Sequence, residues 1–600
     1  MFDKVIDKFK LKIALLIVLI LIVFSFIISN LYELQIEKGE YYTEKADNNF
    51  IKYVSVKAKR GRIFDRNGAV LAKNKIAFYL YLFPEKTDEF TLEFLKKNIK
   101  FTLKEKIVFE ESYKKKKKIL LKKNLSKREL SLFESRKFRL KGIEISQKVY
   151  RYYPEKGVTS HIVGYINSMT PKEYKKHPSY NITDNIGKSG AEKYLEDVLK
   201  GKNGSKVVLH NKNKVIETDT SLNRLIRIKN SESNRLQEGD DVYLSIDLEL
   251  QKKIDEIFLD VKSGAAVVID LNTGDLLASY SKPTFDPNLI IAKDRKYLKE
   301  IFSDKHQPTL DKTQKQFFPG SIFKVITAVA SLDMGIIDEN EKLLCPGYEE
   351  YGVTKFRCWN RGGHGYLNLK QAIAQSCDVY FYKVAKQLGL DNLNKYAKKL
   401  GIGTTFTDFL SDIPKGFVPN KKWYYKKYGR YHKGTALNTS IGQGDVYISP
   451  FKAAEVYSII ANLGVRKRIN LVNKIVTESG KIKYSRKIIN KNTNIPIDIF
   501  KKVSDALEYV VSNGTARRYA IPEVPVSGKT GTAQVNSRTK DEYDFEMLWE
   551  EQHHGWFIGF APSYRPEIVV SVIVEHGGSS SAATPLVMKI IKAYYGITSP

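Results

Sequence analysis

Three short segments, far apart in the 600-residue chain, carry residue types that could open and re-form an amide. The first is Pro319-Gly320-Ser321-Ile322-Phe323-Lys324. Pro-Gly breaks the chain just before an apolar-periodic helix running through Val325, Ala328, Val329 and Leu332, which places Ser321 at a helix start. Residues i and i+3 share a helix face, so the Lys324 amine is within reach of the Ser321 hydroxyl. A serine hydroxyl is a poor nucleophile near neutral pH. A lysine amine made neutral by burial or by neighbouring positive charge can act as its base. The second segment, Ser376-Cys377-Asp378, follows a helical stretch containing Ala372 and Ile373. It offers a hydroxyl to relay a proton and a carboxylate to position an amine; its structural alternative is a polar turn between helices. The third, Lys529-Thr530-Gly531-Thr532, lies in an alternating strand whose glycines let a ligand backbone approach. An extended peptide could add alongside it, its carboxylate meeting Lys529 and the hydroxyls of Thr530 and Thr532.

A fourth group concerns ligation. All three cysteines, Cys345, Cys358 and Cys377, fall within 33 residues, which random placement gives roughly one time in a hundred. With His364 among them they supply three thiolates and an imidazole, the ligand set of a closed tetrahedral structural zinc site. The spacings of 13, 6 and 13 match no standard finger. A Cys345–Cys358 disulfide with one buried thiol is the alternative, as are three unrelated core residues.

These segments need a scaffold, and the chain is long enough for several domains. From Asp240 onward, Val242–Ile246 alternates like a strand, and Gly264–Asp270 with Leu276–Tyr280 reads as a hairpin turning at Asn272-Thr273-Gly274. A largely helical middle is expected from Ile322 to about Leu400. Strand signals return at Val524–Val535, Gly555–Ala561 and Ile568–Glu575. Strands at both ends around a helical middle predict an antiparallel sheet closed by the two ends of one α+β domain, flanked by helices. Asp541–Glu551 reads as a loop beside the cleft, and His553 and His554 as structural residues. Before Gly239 the chain shows no reacting constellation; its run of five consecutive lysines, Lys114 to Lys118, reads as exposed helix surface.

Ile13–Tyr32 is twenty residues without a charge, enough at about 1.5 Å each to cross the hydrocarbon layer. Lys4, Lys8, Lys10 and Lys12 precede it and place the N-terminus in the cytoplasm. An uncleaved single-pass anchor in the inner (cytoplasmic) membrane, with the catalytic domain outside, follows. The expected divisions are 1–12 cytoplasmic tail, 13–32 anchor, 33–239 non-catalytic pedestal and 240–600 catalytic domain. A formal charge of +32, from 99 basic and 67 acidic residues, is spread along the chain and reads as solvated surface. No nucleic-acid partner is expected.

In order, S-x-x-K, S-x-D and K-T-G form the signature of penicillin-binding proteins and class A β-lactamases, with Asp378 where S-D-N would place Asn. The chain resembles the class B penicillin-binding proteins, and among them the elongation-type members. The resemblance includes Arg60–Gly68, Arg151-Tyr152-Tyr153-Pro154, Gly187–Glu192, Phe285–Asn288 and Asn438–Gly444. It implies a peptidoglycan D,D-transpeptidase with an elongated pedestal and a C-terminal penicillin-binding domain. Ser321 would attack the penultimate D-Ala carbonyl of a stem peptide with Lys324 as base. The backbone N–H groups of Ser321 and Thr532 would hold the oxyanion, Ser376 would protonate the leaving amine, and Lys529, Thr530 and Thr532 would bind the terminal carboxylate beside Gly531. No cofactor enters that chemistry. Asp378 leaves the role of the third S-x-N position open. β-Lactams would acylate Ser321, and a SEDS-type glycosyltransferase with other elongation-complex membrane proteins would be the partners. Some members carry a metal at positions matching the cysteine cluster. A division-specific transpeptidase and a non-synthetic β-lactam sensor are the competing readings.

Overall fold

The computed structural model describes residues 2–42, 51–99, 110, 113, 116–181, 184–211, 214–215, 236–410, 412–535 and 548–597. Lys114 and Lys115 and residues 541–547 of the expected loop lie outside them; Trp549–Glu551 forms a 3-10 turn.

The chain forms two compact units, Met1–Lys59 with Lys200–Gly239, and Arg60–Leu199 with Asp240–Pro600. In the first, a helix spans Phe2–Tyr32. The most apolar 18-residue window within Phe9–Glu37 has mean hydropathy 3.2 and none of it is covered by protein, so this helix is long and apolar enough to cross a membrane. Elsewhere in that unit Ile51–Val56 pairs antiparallel with Gly204–Asn211.

The second unit holds the catalytic candidates, and its architecture cuts across the division expected at Gly239. Asp241–Leu244 runs parallel to Ile63–Phe64 on one side and antiparallel to Val472–Val476 on the other. One seven-stranded sheet therefore contains strands from both sides of the boundary, including Val70–Leu82 and Ile143–Tyr152. Beside it Glu192, fully buried, is held by Arg60 and Arg151, the latter at 2.7 Å, and accepts the Tyr153 hydroxyl at 3.1 Å. Those residues belong to the Arg60–Gly68, Arg151–Pro154 and Gly187–Glu192 segments. Pairing two cations with one carboxylate is what permits the charges to be buried.

The catalytic core is built on β1 (Gly264–Asp270) and β2 (Leu276–Lys282), followed by α1 (Lys324–Asp333), α2 (Leu369–Ala374), α3 (Asp378–Lys399), α4 (Pro450–Ala461) and α5 (Ile497–Ser512). β3 (Ser527–Ala533), β4 (His554–Ala561), β5 (Ile568–Val574) and α6 (Thr584–Tyr594) close the domain. The sheet is antiparallel in the order β2-β1-β5-β4-β3, with β1 from one end of the domain bonded to β5 from the other, as the patterning predicts. The hairpin turn forms at Asn272-Thr273-Gly274, where Asp270 Oδ1 accepts the N–H groups of Asn272 and Thr273 and Gly274 takes φ +78°. β5 is buried along its whole length and β1 up to its last residue, Asp270, so both read as continuous apolar runs. α4 packs on β1, β4 and β5, and all twelve of its residues are buried; α6 packs on β4 and β5.

The middle departs from the expected helical run. Between α1 and α2 lie four short strands, Leu343–Cys345, Tyr348–Tyr351, Thr354–Arg357 and Gly365–Leu367, paired as two small antiparallel ribbons. Gly347, Gly352, Gly363 and Gly365 in this stretch all take positive φ, a conformation that no helix continues through.

Candidate active site

Ser321 sits in a 3-10 turn, Gly320–Phe323, that leads directly into α1 at Lys324. Three backbones meet around it. Gly320 N–H donates to Gly442 O at 3.0 Å, and a Cβ on Gly320 would stand 2.4 Å from Thr532 O. A Cβ on Gly442 would meet Gly320 O at 2.3 Å, and one on Gly531 would meet Ile322 Cγ2 at 2.8 Å. The serine turn, the Asn438–Gly444 segment and the K-T-G strand thus approach as closely as glycine allows.

The second segment joins them. Ser376 takes φ +53°, a left-handed conformation held by Ser376 N–H to Ile373 O and Cys377 N–H to Ala372 O. Lys324, fully buried, donates from Nζ to Asp378 Oδ1 at 2.7 Å, Ser376 O at 2.7 Å and Ser376 Oγ at 3.3 Å. Lys529, also fully buried, donates to Ser376 Oγ at 2.9 Å and Thr530 O at 3.0 Å. Two amines therefore converge on one hydroxyl. Burial, reinforced by the Lys324 charge and partly offset by Asp378, pushes the Lys529 amine well below its usual 10.5. Because the Lys324 hydrogens go to Ser376 and Asp378, Lys324 makes no hydrogen bond to Ser321 Oγ in this arrangement. The contact expected from the i, i+3 spacing requires the amine to turn toward the cleft.

β3 is the edge strand of the sheet, bonded to β4 on one side only among the described residues. Thr530 Oγ1 is fixed by Thr515 Oγ1 at 2.8 Å. Ser321, Ser376, Asp378, Thr530, Gly531 and Thr532 all line one open cleft of about 1100 Å³. His553 lies at its margin, its Nδ1 accepting Val535 N–H, while His554 Nδ1 accepts His576 N–H. Both act as anchors of the strand ends.

Behind the S-C-D turn the four ligation candidates come together: the Sγ atoms of Cys345, Cys358 and Cys377 and a ring nitrogen of His364 lie within 4.8 Å of one another. Ligand atoms of a tetrahedral zinc–thiolate site are about 3.8 Å apart, so the set fits a metal with small inward shifts. His364 Nδ1 is 3.5 Å from Cys345 Sγ and 3.6 Å from Cys358 Sγ. All three cysteines are free thiols, so the alternative disulfide is not formed. A hydrogen bond from Cys377 pulls the Cys358 thiol down to about 5 against the effect of burial. Cys377 also caps α3, accepting Tyr380 N–H at 3.5 Å.

Two residues escaped sequence reasoning. Trp359, next to Cys358, donates its backbone N–H to Asp378 Oδ2 at 2.8 Å and its indole N–H to Gln375 O at 3.1 Å, gripping the S-C-D turn at both ends. Thr515 is the other. The first of the two Trp359 contacts is made by main chain, which carries no residue-type signal.

The fold and this constellation define a serine acyl-transfer enzyme with an edge strand for an extended substrate. The profile of the penicillin-binding protein transpeptidase domain matches residues 264–592, and that of the penicillin-binding protein dimerisation domain matches residues 55–244. The chain belongs to the penicillin-binding protein family, in its class B form. Within it the similarity runs to penicillin-binding protein 2. The peptidoglycan D,D-transpeptidase MrdA of Haemophilus influenzae is 32% identical over 605 residues, covering 96% of this chain and 90% of the relative. MrdA of Acinetobacter baumannii is 32% identical over 567 residues, covering 91% and 82%. Among solved structures, the complex between penicillin-binding protein 2 and MreC from Helicobacter pylori superposes with TM-score 0.74 at 25% identity, covering 92% of this chain and 99% of that one. A peptidoglycan synthase complex, described as coordinating polymerisation and cross-linking, gives 0.74 at 26% identity, covering 98% and 99%.

Proposed function

We propose that this protein is an elongation-type peptidoglycan D,D-transpeptidase acting through a serine acyl-enzyme, and that β-lactams inhibit it. The observation that carries the reading is the shared hydroxyl: Ser376 Oγ takes hydrogen bonds from both Lys324 and Lys529, in the cleft that Ser321 lines. Ser321 attacks the penultimate D-Ala carbonyl of the stem, its proton passing to Lys324. The oxyanion forms between the turn at Ser321 and the strand at Thr532, where backbone N–H groups supply its hydrogen bonds. Ser376, bridged by the two amines, passes a proton to the departing D-Ala nitrogen. Lys529, Thr530 and Thr532 take the terminal carboxylate as the donor extends along the free edge of β3, with Gly531 clearing the way. Asp378, held by Trp359, keeps Lys324 beside Ser376. A neighbouring stem's amine then accepts the acyl group; water in its place gives the carboxypeptidase outcome.

Cys345, Cys358, His364 and Cys377 bind a structural zinc that fixes the loop bearing Ser376 and takes no part in the chemistry. The helix Phe2–Tyr32 anchors the chain in the inner membrane with the catalytic domain outside. The Helicobacter pylori relative is seen with MreC, and the synthase-complex relative couples polymerisation to cross-linking. By extension, the partners of this chain are elongation-complex membrane proteins, including a SEDS-type glycosyltransferase. Mass spectrometry after penicillin treatment tests the assignment: one penicilloyl adduct on Ser321, absent in Ser321→Ala. An adduct on any other residue overturns it.

A further inference from the structure

The charged residues lining the cleft are unbalanced. Four are cations, Lys355, Arg357, Arg361 and Arg518, against a single carboxylate, Asp378, which Lys324 already engages. Lys355 is paired with Glu350, but Arg357 and Arg361 have no ion-pair or hydrogen-bond partner for their guanidinium groups among the described residues. They flank Cys358-Trp359, whose backbone is held by the cysteine cluster and by Asp378, so both arginines project from a fixed arm. Arg518 lines the same cleft, on the 3-10 turn Arg517–Tyr519 that follows Thr515, with its guanidinium resting on the Tyr519 ring at 4.6 Å and donating to the Tyr519 hydroxyl. The catalytic chemistry uses none of the three. A guanidinium fork pairs bidentately with carboxylate.

We propose that these arginines form a carboxylate-reading subsite for the acyl donor, selecting stem peptides whose internal acidic groups are free rather than amidated. The inference rests on the transpeptidase reading of the same cleft and names a feature of its substrate. With the terminal carboxylate at Lys529 and the peptide extended along β3, the preceding acidic residues of the stem run through the cleft that these three arginines line. Amidation there removes a charge-assisted pair and leaves a guanidinium unmatched, costing about tenfold in apparent affinity.

The test uses the full-length protein in detergent and two soluble disaccharide pentapeptides, one with free internal carboxylates and one amidated, competing with a fluorescent penicillin for Ser321. The free form should protect at about tenfold lower concentration, and the difference should shrink to within about twofold in Arg357→Gln/Arg361→Gln and in Arg518→Gln, each normalised to its own penicillin labelling. Raising salt on the native protein must narrow the same gap, a readout that needs no variant. Equal protection by the two donors, no protection by either, or a gap insensitive to salt overturns the subsite. Failure of penicillin to label Ser321 in the native protein would instead overturn the catalytic reading.

Discussion

Gly320→Ala puts the closest backbone approach in the cleft to a direct test. Gly320 holds φ +59°, and an added Cβ would stand 2.4 Å from Thr532 O and 2.9 Å from Thr532 C. Ordinary contact is about 3.4 Å, so the serine turn and β3 must part by about 1 Å. The left-handed conformation alone costs an alanine about 1–2 kcal/mol. In the proposed mechanism these two backbones flank the oxyanion, and a misplacement of about 1 Å is enough for a 100-fold loss of rate. The second-order rate of acylation by fluorescent penicillin should therefore fall about 100-fold, or about 2.7 kcal/mol in the barrier. Thermal unfolding should drop by several degrees, about 2–4 °C per kcal/mol for a domain of this size. Gly335→Ala is the control: Gly335 takes φ +64° with nothing within 4 Å of the added Cβ. It should lose about 1 kcal/mol of stability and keep its acylation rate. Acylation by Gly320→Ala within threefold of native, or an equal loss at Gly335, would refute the claim that these two backbones set the reacting geometry.

Two other outcomes follow from the buried amine and from the cysteines. Lys529 lies well below its unfolded value of 10.5, so between the two values the unfolded chain binds the extra proton, and folding stability rises with pH through that window. Lys529→Met should flatten the rise; melting curves from about pH 7 to about pH 10 check it, and identical slopes would show that the amine is not titrating as its burial requires. Elemental analysis should find about one zinc per chain, lost in Cys358→Ser together with about tenfold of the acylation rate. A metal-free native protein of full acylating activity would end the structural-zinc assignment.

Much of the site could be read from the chain because its parts are local and carry residue-type signals. Pro319-Gly320 before an apolar-periodic helix, the Asn272-Thr273-Gly274 turn between two apolar runs, and the glycine in K-T-G each announce a backbone event at a known position. The largely helical middle expected from Ile322 to about Leu400 includes the segment between Asp338 and Leu367, which is not helical. Its four positive-φ glycines and its convergence on three thiols are what turn it into ribbons. Pairing of Ile63–Phe64 with Asp241–Leu244 was not legible, since two-residue strands have no periodicity and their partners are about 180 positions away. The grip of Trp359 on Asp378 is likewise a main-chain contact, visible only once Cys358 and Cys377 are neighbours in space.

The shared seven-stranded sheet bears on how a soluble version should be trimmed. Starting the polypeptide at Asp240 would strip Asp241–Leu244 of Ile63–Phe64, remove the Arg62 side chain from Asp241, and bare the apolar surface that Ile63 and Leu71 cover. Such a fragment would display an uncapped sticky edge and tend to precipitate. Removing only the N-terminal apolar helix, and beginning between it and Ile51, leaves every described strand with its neighbour and is the truncation to express.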